Sequence, residues 1–152
     1  MAERTYIRDG RSPVPKDSRV SEQMSRIRSK NTKPERWMRA ALTALGIRGY
    51  RLNYAKAAGK PDIAFVGRKV AVFVHGCFWH CCPHCQPRRP KTHTDFWDLK
   101  LDRNMQRDRH HARALRKEGW RVITVWECRL KKDPQAQARR VRKALQAGPA
   151  GR

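Results

Sequence analysis

Lys69 to Gln86 reads "KVAVFVHGCFWHCCPHCQ", and its first six residues decide the fold class. "KVAVFV" is almost wholly apolar, as expected of a central strand covered on both faces. The chain then enters a loop, Gly76 to Gln86, that holds four of the five cysteines and two of the six histidines. Phe78 and Trp79 are wedged among them. Upstream, Asp62-Ile63-Ala64-Phe65-Val66 is a second strand-like run, and the intervening Gly67-Arg68 predicts a tight two-residue hairpin. Residues 49–54, "GYRLNY", predict a short strand before it. Thr32-Lys33-Pro34-Glu35 has the form of a capping box with an early proline. Met38, Leu42 and Leu45 follow at helical spacing and Gly46 stands at the stop, so a helix is expected over 33–45. Downstream, 94–118 reads as a long helix ended by Gly119, and "RVITVWE" (121–127) is the clearest strand in the chain. Pro134 to Gln146 closes the pattern as a helix with Ala138, Val141 and Leu145 on one side. The order α-β-β-β-α-β-α predicts an α/β fold, a mixed sheet flanked by helices. The expected organisation is a basic flexible arm over 1–31, one domain over 32–147 and a disordered tail over 148–152, without internal repeats.

Net charge narrows the partner. The 152 residues carry 36 Lys+Arg against 13 Asp+Glu, a formal charge of +23. That suits a polyanion, nucleic acid before an anionic membrane surface. No apolar run approaches the roughly 18 residues needed to span a bilayer. No strongly amphipathic basic helix points to a membrane surface. "MAERTYIRDGRSPVP" lacks the apolar segment of a signal peptide, so a cytoplasmic protein is expected. Disulfides are rare there, which makes clustered cysteines candidate metal ligands.

Cys77, Cys82 and Cys85 stand at C-x4-C-x2-C, and Cys128 follows at the end of the last predicted strand. Four soft donors of this kind suit a tetrahedral, structural zinc site with no open position for substrate. Cys81 and His84 are further candidates, and spacing alone leaves the membership open. Such a metal would stiffen the loop that presents Phe78 and Trp79.

Two predicted helices carry an acid on an otherwise apolar stripe. Asp108 interrupts Trp97, Leu101, Met105, Ala112 and Leu115, where an unpartnered carboxylate is costly. Its partner is either an arginine from another element or a catalytic group. Glu35 shares a face with Met38 and Leu42, and its capping-box role is sufficient reason for it to be there. Asp62, in "GKPDIAFV", is an acid at a strand mouth beside a basic surface, which suits either a turn or a magnesium ligand. His75 and His80 flank the start of the cysteine loop, placed to handle protons near a metal-bound carboxylate.

Taken in order, "SRIRSKNTKPE", "GKPD", "FVHGCFWH", "FW", "NMQRDR" and "GWRVITVWEC" resemble the very short patch repair (Vsr) endonucleases over about residues 18–131. The resemblance implies a restriction-endonuclease-like fold and a Mg2+-dependent enzyme that nicks double-stranded DNA 5′ of the thymine in a T:G mismatch. It implies Asp62 as magnesium ligand, with the Val74 backbone carbonyl in place of the second acid that a restriction-like strand usually carries. His80 is implied as the general base or acid, Asp108 as the carboxylate that orients it, and His75 and Glu35 as further active-site residues. Phe78, Trp79 and Trp97 match aromatics that wedge beside the mismatch. Lys100, Asn104 and Arg107 are expected DNA contacts on the same helix. Cys77, Cys82 and Cys128 match zinc ligands, with Cys85 chosen as the fourth and His84 as its alternative. The family's pathway can include mismatch-repair proteins as partners; a cytoplasmic, nucleoid-associated location is expected, and a monomer is the default since no dimer signal stands out. Two other readings compete: a zinc-stabilised DNA-binding module without catalysis, and a restriction-like nuclease with another DNA target.

Overall fold

The computed structural model describes residues 30–148. The expected arm over 1–31 therefore lies outside the described residues except for its last two, and so does the tail beyond Gly148. The elements run α1 (Lys33–Ala44), β1 (Arg51–Leu52), β2 (Ile63–Phe65), β3 (Val70–His75), α2 (Thr94–Lys117), β4 (Arg121–Trp126), α3 (Glu127–Lys132) and α4 (Pro134–Gln146). The four strands form one mixed sheet in the order β1-β2-β3-β4. β1 and β2 pair antiparallel, as do β2 and β3, whereas β3 and β4 run parallel from Val70↔Arg121 to His75↔Trp126.

β3 is central and its side chains face two cores. Val70, Val72 and Val74 join Met38 and Leu42 of α1, Ile63 and Phe65 of β2, Ile123 and Val125 of β4, Leu130 of α3 and Val141 of α4. The opposite face is smaller, with Ala64, Ala71, Leu115, Trp120 and Ala57, flanked by Phe73 and Val122. Alternation along β3 and β4 thus fills both faces, as the apolar run required. β4 lies at one edge of the sheet, and Arg140 of α4 donates to the Thr124 carbonyl at 3.1 Å, covering one of its outward groups.

Three local expectations are corrected. The β2–β3 loop has four residues rather than two: Phe65 pairs with Val70, and Val66–Arg68 form a 3-10 turn closed by Lys69 at φ +51°. The hydrogen bond from the Lys69 N–H to the Val66 carbonyl (3.2 Å) holds that turn, and neither Gly67 nor Arg68 needs to adopt a positive φ. The first strand shrinks to Arg51–Leu52, both exposed. The last strand stops at Trp126, and Cys128 sits on a short helix that the alternating pattern concealed. That helix forms because Leu130 turns under the sheet into the main core, where it is 1 % exposed.

Candidate active site and metal centre

The C-terminal end of β3 assembles the titratable residues. Asp62 lies one residue before β2, and its Oδ2 accepts a hydrogen bond from the Val74 N–H at 2.7 Å. The N–H and C=O of one strand residue leave on the same edge. The Val74 carbonyl therefore faces the Asp62 side too, beyond the point where β2 ends. Burial, reinforced by the nearby negative Glu35, outweighs the Val74 hydrogen bond and pushes the Asp62 carboxyl up to about 6. Glu35 is itself buried, and closes the N-terminus of α1: its Oε2 accepts from the Asn31 N–H at 2.8 Å, and its Oε1 lies 3.2 Å from the Thr32 hydroxyl. The Thr32 hydroxyl in turn accepts from the Glu35 N–H at 3.4 Å. Among the described residues neither acid has a lysine or arginine partner.

One residue beyond Val74, His75 is 8 % exposed and its ring stacks on that of His80, centroids 3.8 Å apart and planes 7° from parallel. Trp126, at the matching end of β4, packs edge-on against His75 at 5.2 Å. Burial drives the His75 imidazole down to about 4, so it is neutral at physiological pH. His80 Nδ1 lies 2.6 Å from Asp108 Oδ2, a contact spanning 28 residues of sequence. This is where the acid on the stripe of α2 goes. Its partner is the imidazole and not an arginine. With Nδ1 bonded to a carboxylate, the proton of neutral His80 is held on Nδ1 and Nε2 is left as the proton acceptor.

These side chains line a cleft of about 720 Å³ between α2 and the sheet. Phe73, Val122, Thr124 and Trp126 form its floor, and Arg109, Arg113, Arg116 and Lys117 its rim. The rim residues were not singled out from the sequence, although their spacing along one helical stripe carries the signal.

The aromatics gather beside this cleft. Phe78 lies 5.0 Å from Trp79 and 5.6 Å from Trp97, and the two tryptophans are 5.9 Å apart. The Lys100 ammonium sits 5.3 Å from the Trp79 ring and 5.6 Å from that of Trp97. Asn104 Nδ2 donates to the Trp79 carbonyl at 3.1 Å, and its Oδ1 accepts from Arg107. Both ends of that amide are thus engaged within the protein. Sequence reasoning missed Arg89, which bonds Asp98 at 2.8 Å and Asp102 at 2.7 Å and so ties the end of the cysteine loop to α2.

The sulfurs of Cys77, Cys82, Cys85 and Cys128 all lie within 4.8 Å of one another, a cluster that could hold a metal ion. Cys82 Sγ and Cys128 Sγ are 3.7 Å apart. A tetrahedron of Zn–S bonds of about 2.3 Å has edges of about 3.8 Å, so the donor set fits zinc in both chemistry and spacing. The Cys128 N–H points to Cys77 Sγ at 3.4 Å, and the His84 N–H to Cys82 Sγ at 3.4 Å. The His84 imidazole turns away, with Nδ1 3.0 Å from an Arg129 nitrogen. Cys81 also lies outside the cluster, with its Sγ 3.9 Å from Arg89.

Comparison with known proteins places the chain among DNA endonucleases. The family described as "DNA mismatch endonuclease Vsr" matches residues 14–86. The type II nicking enzyme V.NaeI of Lentzea aerocolonigenes is 46% identical over 123 residues, 78% of this chain and 73% of its own length. V.XorIIP of Xanthomonas oryzae pv. oryzae, also a type II nicking enzyme, is 44% identical over 70% of this chain and 78% of its own. The DNA mismatch endonuclease Vsr of Escherichia coli is 38% identical over 73% of this chain and 70% of its own. The chain belongs to the Vsr endonuclease family. No described helix is long and apolar enough to cross a membrane.

Proposed function

We propose that this endonuclease nicks double-stranded DNA on the 5′ side of the thymine of a T:G mismatch, by Mg2+-dependent hydrolysis of one phosphodiester. What supports the reading most is the His80–Asp108 pair at 2.6 Å, stacked on His75 and joined through Val74 to the Asp62 carboxylate. A zinc-stabilised binding module has no use for that arrangement.

Asp62, with one carboxylate oxygen bonded to Val74 and Glu35 nearby, is a buried acid without a lysine or arginine partner among the described residues, and with the Val74 carbonyl it offers a hard oxygen donor set. Mg2+ held there would polarise the scissile phosphate and stabilise the leaving 3′ oxygen. His80 takes the proton of the attacking water on Nε2, while Asp108 fixes its tautomer and stabilises the imidazolium that forms. Neutral His75 supports the ring from behind without adding a competing charge. The products carry a 5′-phosphate and a 3′-hydroxyl. The four-thiol cluster holds zinc and stays outside the chemistry, clamping the loop that carries Phe78, Trp79 and His80.

The +23 charge gives sequence-blind, salt-sensitive affinity. Specificity then rests on the rings. A wobble pair is stacked less firmly than a normal one, so inserting Phe78, Trp79 and Trp97 costs less there, where unstacking is about a few kcal/mol per step. Lys100 and Arg107 supply cations beside the wedge, and Asn104 holds the Trp79 backbone in place. The deciding experiment is nicking of paired duplexes, T:G and T:A, with and without Mg2+. A magnesium-dependent nick confined to the T:G duplex is expected; equal cutting of both would favour a nuclease with another target.

Two variants probe the roles. Trp79→Ala should lower the T:G over T:A preference by roughly tenfold or more, the loss of about 1–3 kcal/mol of stacking, with a smaller fall in total DNA affinity. Equal losses on both duplexes would remove the wedge. Asp108→Asn should lower the single-turnover rate by about 10²–10⁴ at unchanged DNA affinity, the range for a positioned general base. A rate within threefold of wild type would detach His80 from proton transfer.

A further inference from the structure

We propose that Arg89 is a positioning residue for mismatch recognition. By clamping the cysteine loop to the first turns of α2, it holds Trp97 in register with Phe78 and Trp79, so that the wedge is formed before DNA is met. That role rests on the function proposed above.

The three rings come from two separate elements. Phe78 and Trp79 lie in the cysteine loop, and Trp97 in the first turn of α2. Trp97 meets Phe78 at 5.6 Å and Trp79 at 5.9 Å. Little else fixes that end of the helix. His93 stands at its N-cap with φ +52° and makes no side-chain capping bond. The buried residues of α2 are Leu101 and Leu115. Leu115 belongs to the smaller core on the sheet, whereas Leu101 borders, with Phe78, Cys82 and Pro87, a cavity of about 250 Å³. Through Leu101, the half of α2 that carries Trp97 is anchored on the cysteine loop.

Arg89 completes that anchorage. It stands in the irregular stretch between Cys85 and α2, and its guanidinium reaches Asp98 at 2.8 Å and Asp102 at 2.7 Å, about one turn apart on the helix. The two bonds leave from different nitrogens, so one planar fork grips two successive turns. Asp98 directly follows Trp97. All three side chains are exposed to solvent, and a surface network of this kind adds little to global stability. Its effect is local, on where Trp97 stands relative to the loop. Rings that insert beside a mismatch must be ordered there, and ordering a loose ring on binding weakens that complex. Sequence-blind binding inserts no ring and escapes the cost. Arg89 also neutralises two carboxylates on the helix that carries Lys100 and Arg107, so its charge has to be separated from its grip.

The test uses the full, zinc-loaded chain and compares wild type, Arg89→Met and the double variant Asp98→Asn/Asp102→Asn. Affinity for T:G and T:A duplexes is measured at one fixed salt concentration. Both variants should lower the T:G over T:A affinity ratio at least fivefold. Affinity for T:A should fall in Arg89→Met, which loses a positive charge, and rise in the double variant, which loses two negative ones. Charge alone cannot move T:A affinity in opposite directions and lower the ratio in both. Zinc content should be unchanged and the melting temperature within about 4 °C of wild type. A larger fall, or lost zinc, would make Arg89 a residue of the fold and overturn the assignment. A second readout needs no DNA. The chain has five tryptophans. With 5-fluorotryptophan incorporated, the fluorine resonances of Trp79 and Trp97 should broaden in both variants while those of Trp37 and Trp120, which pack against the two cores, stay unchanged. Sharp, unmoved Trp79 and Trp97 resonances in both variants would overturn the clamp. A wild type that prefers T:G beside variants that prefer it equally would sink this inference and leave the function standing. A wild type without preference would sink the function, and the recognition role of Arg89 with it, whatever the fluorine spectra show.

Discussion

Asp62→Asn should abolish nicking and make the metal-free protein more stable. The variant keeps an oxygen to accept the Val74 N–H, so the contact at 2.7 Å survives while the charge is lost. If the carboxylate is what retains Mg2+, the transition-state stabilisation forfeited is several kcal/mol, and the single-turnover rate should drop by about 10³ or more. DNA affinity should change little, because the basic surface is untouched. The stability gain has a definite sign. In the folded chain the Asp62 carboxyl is raised from 3.8 to about 6, so its ionised form is disfavoured by burial. The folded state is therefore penalised above pH ~6 and not below pH ~4, at most about 3 kcal/mol at neutral pH. Thermal unfolding without Mg2+ should show Asp62→Asn above wild type at pH 7.5 and level with it at pH 4. Substantial residual cutting would take Asp62 out of the site. An unchanged or lower melting point at pH 7.5 would show that the carboxylate is not strained by burial.

The second large effect concerns the thiol cluster. Cys82→Ala should lose the bound zinc, lower the melting temperature by roughly 10 °C or more, and remove nicking. Structural zinc contributes an apparent ~10–16 kcal/mol in small zinc domains. Losing one of four ligands forfeits several kcal/mol of that, at about 2–4 °C per kcal/mol for a chain of this size. Activity follows because Phe78, Trp79 and His80 lie inside the loop that the cluster closes onto α3. Cys85→Ala should behave similarly, whereas His84→Ala should keep its zinc, since the His84 ring faces Arg129. Metal analysis of the three purified variants decides the matter. Zinc retained by Cys85→Ala and lost by His84→Ala would exchange their roles.

The fold was legible where a single period dominates. The apolar run of β3, the alternation of β4 and the stripes of α1, α2 and α4 each declare an element, because burial on one or two faces imposes the spacing. The shortened β1, the four-residue turn before β3 and the helix Glu127–Lys132 were not legible. Each depends on packing that a local pattern does not record, most plainly Leu130 reaching the core under the sheet. At the site, Asp108 showed as an anomaly, a charge on an apolar stripe; the spacing alone left its partner open, and it was the family resemblance that pointed to His80.

The sequence by itself determined the α/β class, the soft donor set for a metal, the appetite for a polyanion and the family motifs, since residue types and short spacings suffice for these. Only the tertiary structure decided who meets whom. It gave the expected Asp108–His80 pair its 2.6 Å contact, stacked His80 on a buried His75, engaged both ends of the Asn104 amide and put the Cys85 sulfur, not the His84 ring, in the four-residue cluster. Those contacts join residues from different elements, some of them dozens of positions apart. They exist because the mixed sheet brings the ends of β3 and β4 together under α2, an arrangement fixed by the summed burial of the whole core and not by any one segment.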